Sequence, residues 1–121
     1  MKYNCVIKEI EDDEEVTIKI ENTIITGFVN MGLSIPIDTK TEVEIEFYDD
    51  IEIEETNIQE KSILSKGTYS YSIFGILDID NGIISSTLDF SIDREYLYEY
   101  GFLDGKYVEV RVNRLDFYFH E

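Results

Sequence analysis

Between positions 42 and 54 the chain alternates almost without fault. Glu42, Glu44, Glu46, Tyr48, Asp50, Glu52 and Glu54 fill the even positions, and Val43, Ile45, Phe47, Ile51 and Ile53 fill five of the six odd ones. A period of two is the repeat of a β-strand, whose successive side chains point to opposite faces, and it does not match the 3.6-residue repeat of a helix. The stretch from Thr41 to Ile53 therefore reads as one long, bent strand with a dry face and a carboxylate face. A three-residue hairpin loop at Tyr48-Asp49-Asp50 is the alternative, but it sets Glu44 and Glu46 across from Glu54 and Glu52, and like charges directly opposite destabilise a sheet.

The pattern recurs: Val16, Ile18 and Ile20 alternate with Thr17, Lys19 and Glu21. Val, Ile, Thr, Tyr and Phe make 50 of the 121 residues and Ala, the best helix former, is absent, so propensity agrees with periodicity. Strands are expected at Tyr3 to Ile10, Val16 to Ile20, Thr23 to Val29, Thr41 to Ile53, Thr68 to Asp78, Ile83 to Ile92 and Tyr107 to Phe119. Asp80-Asn81-Gly82 has the positive-φ tolerance of a tight hairpin turn and should join the fifth and sixth strands. The acidic run Glu11 to Glu15 reads as another hairpin loop, Glu21-Asn22 as a tight turn, and Met31 to Lys40, with Pro36 and Gly32, as a longer loop across an end of the sheet.

Two short helices are expected. Thr56 can cap one running through Ile58, Ser62 and Ser65 to Gly67; Asp93 can cap another through Arg94, Tyr96, Leu97 and Tyr100 to Gly101. In the last strand, Val108, Val110 and Val112 share one parity and Leu115, Phe117 and Phe119 the other, a phase change that a β-bulge at Asn113-Arg114 would reconcile. The expected fold class is all-β and mainly antiparallel. It takes the form of a single domain over 1–121, a small barrel or two-sheet sandwich of about seven strands with one or two short helices. An oligonucleotide-binding type barrel has a similar order of elements; no motif assigns the chain to a family.

Charge narrows the function. There are 27 acidic and 10 basic side chains, a net charge of −17, and residues 1–60 carry −13 of it against −4 for 61–121. Direct nucleic-acid binding needs clustered Lys and Arg for the phosphates, so it is not expected. Disorder is excluded by the 43% apolar content, with 19 Ile residues. On a continuous strand, the acids from Glu42 to Glu54 would stand about 6.6–6.8 Å apart, each neighbouring pair repelling by about 0.6 kcal/mol in water. Such a row would raise its carboxyl pKa values, so stability is expected to increase as pH falls from 7 toward about 5.

The row has a bland use, as a solvated face that keeps an Ile-rich sheet from aggregating. It has a sharper one, as a surface for a basic protein partner, in the manner of inhibitors and immunity-type proteins that present carboxylates in place of phosphates. Glu42, Glu44, Glu46, Tyr48, Asp50, Glu52 and Glu54 are the candidate binding residues. Tyr96, Tyr98, Tyr100 and Phe102, with Tyr69 and Tyr71, either wall the core or add a tyrosine contact surface.

Catalytic parts are scarce. His120 is the only His, and neither a Ser-His-Asp nor a Cys-His set has a supporting motif. A His/Cys zinc set cannot be assembled, and a Gly-rich phosphate loop is absent. Asp78-Ile79-Asp80-Asn81-Gly82 starts like a calcium loop but places Ile83 where Gly is required and Asp89 where Glu is required. The expectation is a non-enzymatic acidic binding protein without cofactor or metal. The alternatives are a structural or oligomerising β protein whose acidity serves solubility, and a carboxylate-based hydrolase. Cys5 is the single thiol, and the opening residues lack the pattern of an export signal, so a cytoplasmic location with no membrane segment is expected.

Overall fold

Alternation builds two sheets rather than one. In the computed structural model, which describes residues 1–12, 14–30, 34–67 and 69–119, the strands are β1 (Lys2–Glu11), β2 (Glu15–Ile20), β3 (Thr23–Phe28), β4 (Lys40–Phe47), β5 (Glu52–Glu55), β6 (Ser62–Ser65), β7 (Tyr71–Asp78), β8 (Ile83–Ser85), β9 (Asp89–Ser91), β10 (Tyr107–Val112) and β11 (Leu115–Phe119). A short helix α1 (Arg94–Leu97) runs into a 3₁₀ segment at Tyr98–Leu103. The expected all-β, mainly antiparallel fold is therefore present.

The first sheet closes on itself in the order β1-β2-β3-β11-β4, with β4 pairing back onto β1. All its pairings are antiparallel except β3 with β11, which meet in parallel where Asp116 faces Phe28. Closure brings these two strands very close. A Cβ on Gly27 would stand 2.7 Å from both the Leu115 carbonyl oxygen and the Phe117 ring, so β3 needs glycine there. The second sheet runs β5-β10-β7-β8-β9, with β6 on β7 beside β8. Its corresponding squeeze is at Gly75, whose added Cβ would lie 2.2 Å from the Ser85 carbonyl oxygen.

The dry faces meet in one contiguous core that includes Ile7, Ile18, Val43 and Phe117 from the barrel and Ile73, Ile84, Phe90 and Val110 from the sheet. Phe90 of β9 packs against Tyr3 and Phe47 of the barrel, at 6.2 and 5.5 Å between ring centroids. The Tyr71 hydroxyl accepts a hydrogen bond from the Thr26 amide at 2.8 Å. Among the described residues, no buried side-chain polar atom lacks a partner. Ser72, for instance, donates to Glu109 at 2.8 Å and Ser86 to the Phe74 carbonyl at 2.6 Å.

The local turns follow their chemistry. Gly82 takes φ +64° in the turn joining β7 to β8, the Asp93 carboxylate accepts from the Glu95 amide to start α1, and Asp12 and Glu21 adopt positive φ in the β1–β2 and β2–β3 turns. Of the acidic hairpin loop, Asp13 lies outside the described residues. So do Met31, Gly32 and Leu33 of the longer loop, whose described part bonds to β1 through the Asp38 amide and the Ile7 carbonyl. Thr68, the expected start of the fifth strand, is outside them as well.

Four expectations are corrected. The strand from Thr41 to Ile53 is two strands in different sheets: after Phe47 the chain turns at Asp49, φ +65°, and β5 joins β10 rather than extending or folding back on β4. Ile83 to Ile92 is likewise divided into β8 and β9, which pair with each other. The phase change at Asn113-Arg114 is the crossing from the second sheet into the barrel, since β10 pairs β5 and β7 while β11 pairs β3 and β4. Finally, Thr56 accepts from the Ile58 amide at 3.2 Å but starts no helix. Ser62–Ser65 pairs with β7 instead, where the backbone of Ile63 lies opposite Ile73, and sheet pairing overrides the local cap.

Candidate binding surface

The break at Asp49 decides the fate of the candidate residues. Those from Glu42 to Glu46 stay on the outward face of β4, whose inward residues Val43 and Ile45 are buried. Glu52 and Glu54 leave with β5 and meet β10, where the Arg111 guanidinium donates to Glu52 and Glu54 at 2.8 Å each and to Glu109 at 3.3 Å. The seven residues expected in a single row are thus distributed over several surroundings.

Arg111 largely settles the chemistry of its group. Its hydrogen bonds, then its charge, hold the Glu54 carboxyl below the ordinary range, opposite in direction to the rise expected of a self-repelling row. Arg111 is in turn held more firmly protonated, chiefly by the bonds it donates to Glu54 and Glu52. These carboxylates form a clasp between β5 and β10 and are already engaged.

Tyr48 has a different task. Its ring covers the Arg114 guanidinium at 3.7 Å, Phe28 covers the same cation at 4.7 Å, and Asp116 pairs with it at 2.8 Å. A cation–π stack of this kind joins β3, β11 and the segment after β4. Glu46 lies opposite Asp116 in the β4–β11 ladder and accepts a hydrogen bond from Tyr118, whose hydroxyl is pushed above its ordinary range first by burial and then by Glu46.

What remains is a groove of about 330 Å³ where β4 passes the end of β9 and the start of α1. Glu44, Glu46, Asp49 and Asp93 contribute carboxylates to its lining; Met1, Ile45, Phe47, Ile51 and Ile92 are its apolar members; no Lys or Arg side chain lines it. Tyr96 stands at the edge, 38% exposed, and donates to Asp50 at 3.3 Å. Burial and then the Asp50 charge raise the Tyr96 hydroxyl above its ordinary value, so it remains a donor at neutral pH. Low-dielectric walls beside like charges concentrate a negative potential in such a groove.

The structure therefore brings together Glu44 and Glu46, places Asp50 at the rim, and separates Tyr48, Glu52 and Glu54. Glu42 lies opposite Asn4 and faces a different groove, beside β1. Asp49 and Asp93 are additions, and Tyr96 comes from the expected tyrosine group rather than from the carboxylate row. Asp49 was detectable as the one odd position in the alternation that is not apolar, whereas Asp93, a helix cap, comes near β4 only through the tertiary fold. Farther along the same helical segment, Tyr98 and Phe102 are 82% and 69% exposed, while Leu97 and Leu103 hold it to the core. The tyrosines do not form one cluster, since Tyr71 is buried and Tyr69 packs edge-on against Phe28 and donates to Glu15.

Other chemistries find little. Among the described residues, no group of three or more His, Cys, Asp and Glu side chains is arranged to hold a metal ion, and His120 lies outside them. Cys5 is buried at 4% exposure, and burial pushes its thiol up to about 11. No helix among the described residues is long and apolar enough to cross a membrane.

Comparison with known proteins gives a family without an activity. A family model described as "Uncharacterised conserved protein UCP019853" matches residues 1–120, and the chain belongs to that family. No curated protein and no solved structure matches.

Proposed function

We propose that this member of an uncharacterised family is a non-enzymatic binding protein, of the inhibitor or immunity type, that offers a carboxylate-lined groove to a basic protein partner. The supporting observation is the groove itself, with Glu44, Glu46, Asp49 and Asp93 around Ile45, Phe47, Ile51 and Ile92. A Lys or Arg side chain from a partner has the matching form, an apolar stem ending in a cation. Tyr96 adds an aromatic edge of the kind enriched at the centres of protein interfaces. Most of the chain's remaining acidity acts at longer range, steering a basic partner toward the groove. On this reading the partner is met in the cytoplasm, in keeping with the lone buried thiol.

A fluorescent Arg- and Lys-rich peptide provides the test. Saturable binding that weakens with added salt, and that Glu46→Gln with Asp93→Asn reduces by roughly tenfold, is the expected result. Equal binding by the double variant would move the interface elsewhere, and no saturable binding at low salt would remove the proposal. A gene for a basic toxin or nuclease beside this one would name the partner.

A second reading has its own observation. The exposed Tyr98 and Phe102 suit a structural or oligomerising β protein, and concentration-dependent sedimentation abolished by Phe102→Ser would favour it. The carboxylate-hydrolase alternative would instead require glycoside turnover lost in Glu46→Gln.

A further inference from the structure

We propose that the outward face of β1, between β2 and β4, is a binding site for a small phosphate-bearing anion. In the ladders on either side, Val6 lies opposite Lys19 of β2 and Lys40 of β4. These two lysines therefore stand in one row across the barrel, separated at the backbone by two inter-strand steps, about 9.4–9.8 Å, with Val6 between them. Lys8 follows Val6 on the same strand, at the bulge where the β1–β2 register shifts between Ile7 and Glu9. That bulge carries Ile10 back to the side of buried Val16. All three lysines line one open groove of about 820 Å³ together with Asn4 and Thr41.

The placement runs against the composition. Ten basic side chains serve a chain with 27 acids, and three of them meet at this one groove; elsewhere Arg111, Arg114 and Lys106 are matched to carboxylates, while Lys2, Lys61, Lys66 and Arg94 stand apart from one another in the chain without an ion pair to a described residue. Lys19 and Lys40 form no ion pair with a described residue, and Lys8 has only a 3.8 Å pair with the exposed Asp38. Long lysine side chains can converge on a single multiply charged group, which ammonium ions bind as point charges. The Asn4 amide supplies uncharged hydrogen bonds. Glu42, opposite Asn4, and Glu21 also line the groove; they limit the positive surface to the row of Lys19 and Lys40 with Lys8, which is too small for a long polyanion such as a nucleic acid strand, so the ligand is short. Cys5 has the opposite parity to Val6 and is buried in the core, so its thiol does not face the anion. The anion is held rather than attacked.

The experiment is an amide-resolved NMR titration with inorganic pyrophosphate at ionic strength held constant by chloride. Saturable shifts centred on Asn4, Val6, Lys8, Lys19, Lys40 and Thr41 are expected. Lys19→Met with Lys40→Met should weaken affinity by roughly tenfold or more, Lys19→Arg with Lys40→Arg should restore most of it, and Lys66→Met, outside the groove, should change nothing. Circular dichroism confirms that each variant is folded. Shifts reproduced by chloride alone, shifts centred elsewhere, or full affinity in the double Met variant would overturn the site. Citrate binding as tightly as pyrophosphate would overturn the phosphate assignment.

Discussion

The barrel and the second sheet use the same alternating code and treat their carboxylates in opposite ways. On β5 the outward acids Glu52 and Glu54 face β10, whose Arg111 engages both. On β4 the outward Glu44 and Glu46 have β11 beside them, with Tyr118 and Asp116 at the paired positions, and they open onto a groove that no basic side chain lines. Identical sequence patterns thus give a structural clasp in one sheet and a negatively charged opening in the other. The deciding variable is the neighbouring strand, not the acidic strand itself.

Substitution at the two glycine squeezes tests how rigid each half is. Gly75→Ala would force a Cβ to within 2.2 Å of the Ser85 carbonyl, which only backbone displacement of β8 can relieve, and should cost about 3 kcal/mol. Gly27→Ala meets the Leu115 carbonyl and the Phe117 ring at 2.7 Å and should cost about 2 kcal/mol, because the ring can yield in part. Chemical denaturation of both variants measures the difference. Equal midpoints for wild type and Gly75→Ala would mean that β7 and β8 are less tightly joined than their pairing requires.

These squeezes also mark where local sequence stops being informative. Turns were legible because their chemistry is local: Asn81-Gly82 supplies positive φ, and Asp93 supplies a cap. Inward residues were legible because alternation labels them, and Val16, Ile18, Val43 and Ile53 are all buried. The sheet to which a strand belongs was not. Alternation continues in phase from β4 into β5 across the turn at Asp49, with neither Gly nor Pro to mark the break, and only pairing with β11 or β10 separates the two. The phase change at Asn113 was visible, but a bulge and a crossing between sheets produce the same parity signal. The lysine groove was invisible for a related reason, since positions 8, 19 and 40 meet only through the registers of β2 and β4 on β1.

A middle-sized effect comes from the tie between the halves. The Tyr3 hydroxyl of β1 donates to the Asp89 carbonyl of β9, and burial, then the Asp89 charge, raises its pKa well above the ordinary 10. A raised pKa means that the folded state binds this proton more tightly than the unfolded state. The stabilisation is complete below about pH 10 and is lost as pH rises beyond it. Tyr3→Phe should cost about 1 kcal/mol at pH 7 and flatten the loss of melting temperature between pH 9 and about 11. An unchanged alkaline slope would show that Tyr3 does not bridge barrel and sheet in solution.

The smallest effect bears most directly on the comparison. Arg111 holds the Glu54 carboxyl below its ordinary value of 4.5, so the folded state binds that proton less tightly than the unfolded one. The clasp therefore stabilises the protein above about pH 4.5, and this contribution disappears as pH falls below it. Arg111→Met should lower the melting temperature at pH 7, lower it more at low salt than at high salt because the pairs are exposed, and remove part of the acid-side slope. Glu46→Gln, on the barrel side, removes no ion pair, and the Gln carbonyl can still accept from Tyr118, so the melting temperature at pH 7 should be equal to or above that of the wild type. If Glu46→Gln destabilises as much as Arg111→Met, the β4 acids are structural like those of β5, and the contrast between an engaged clasp and an open groove fails.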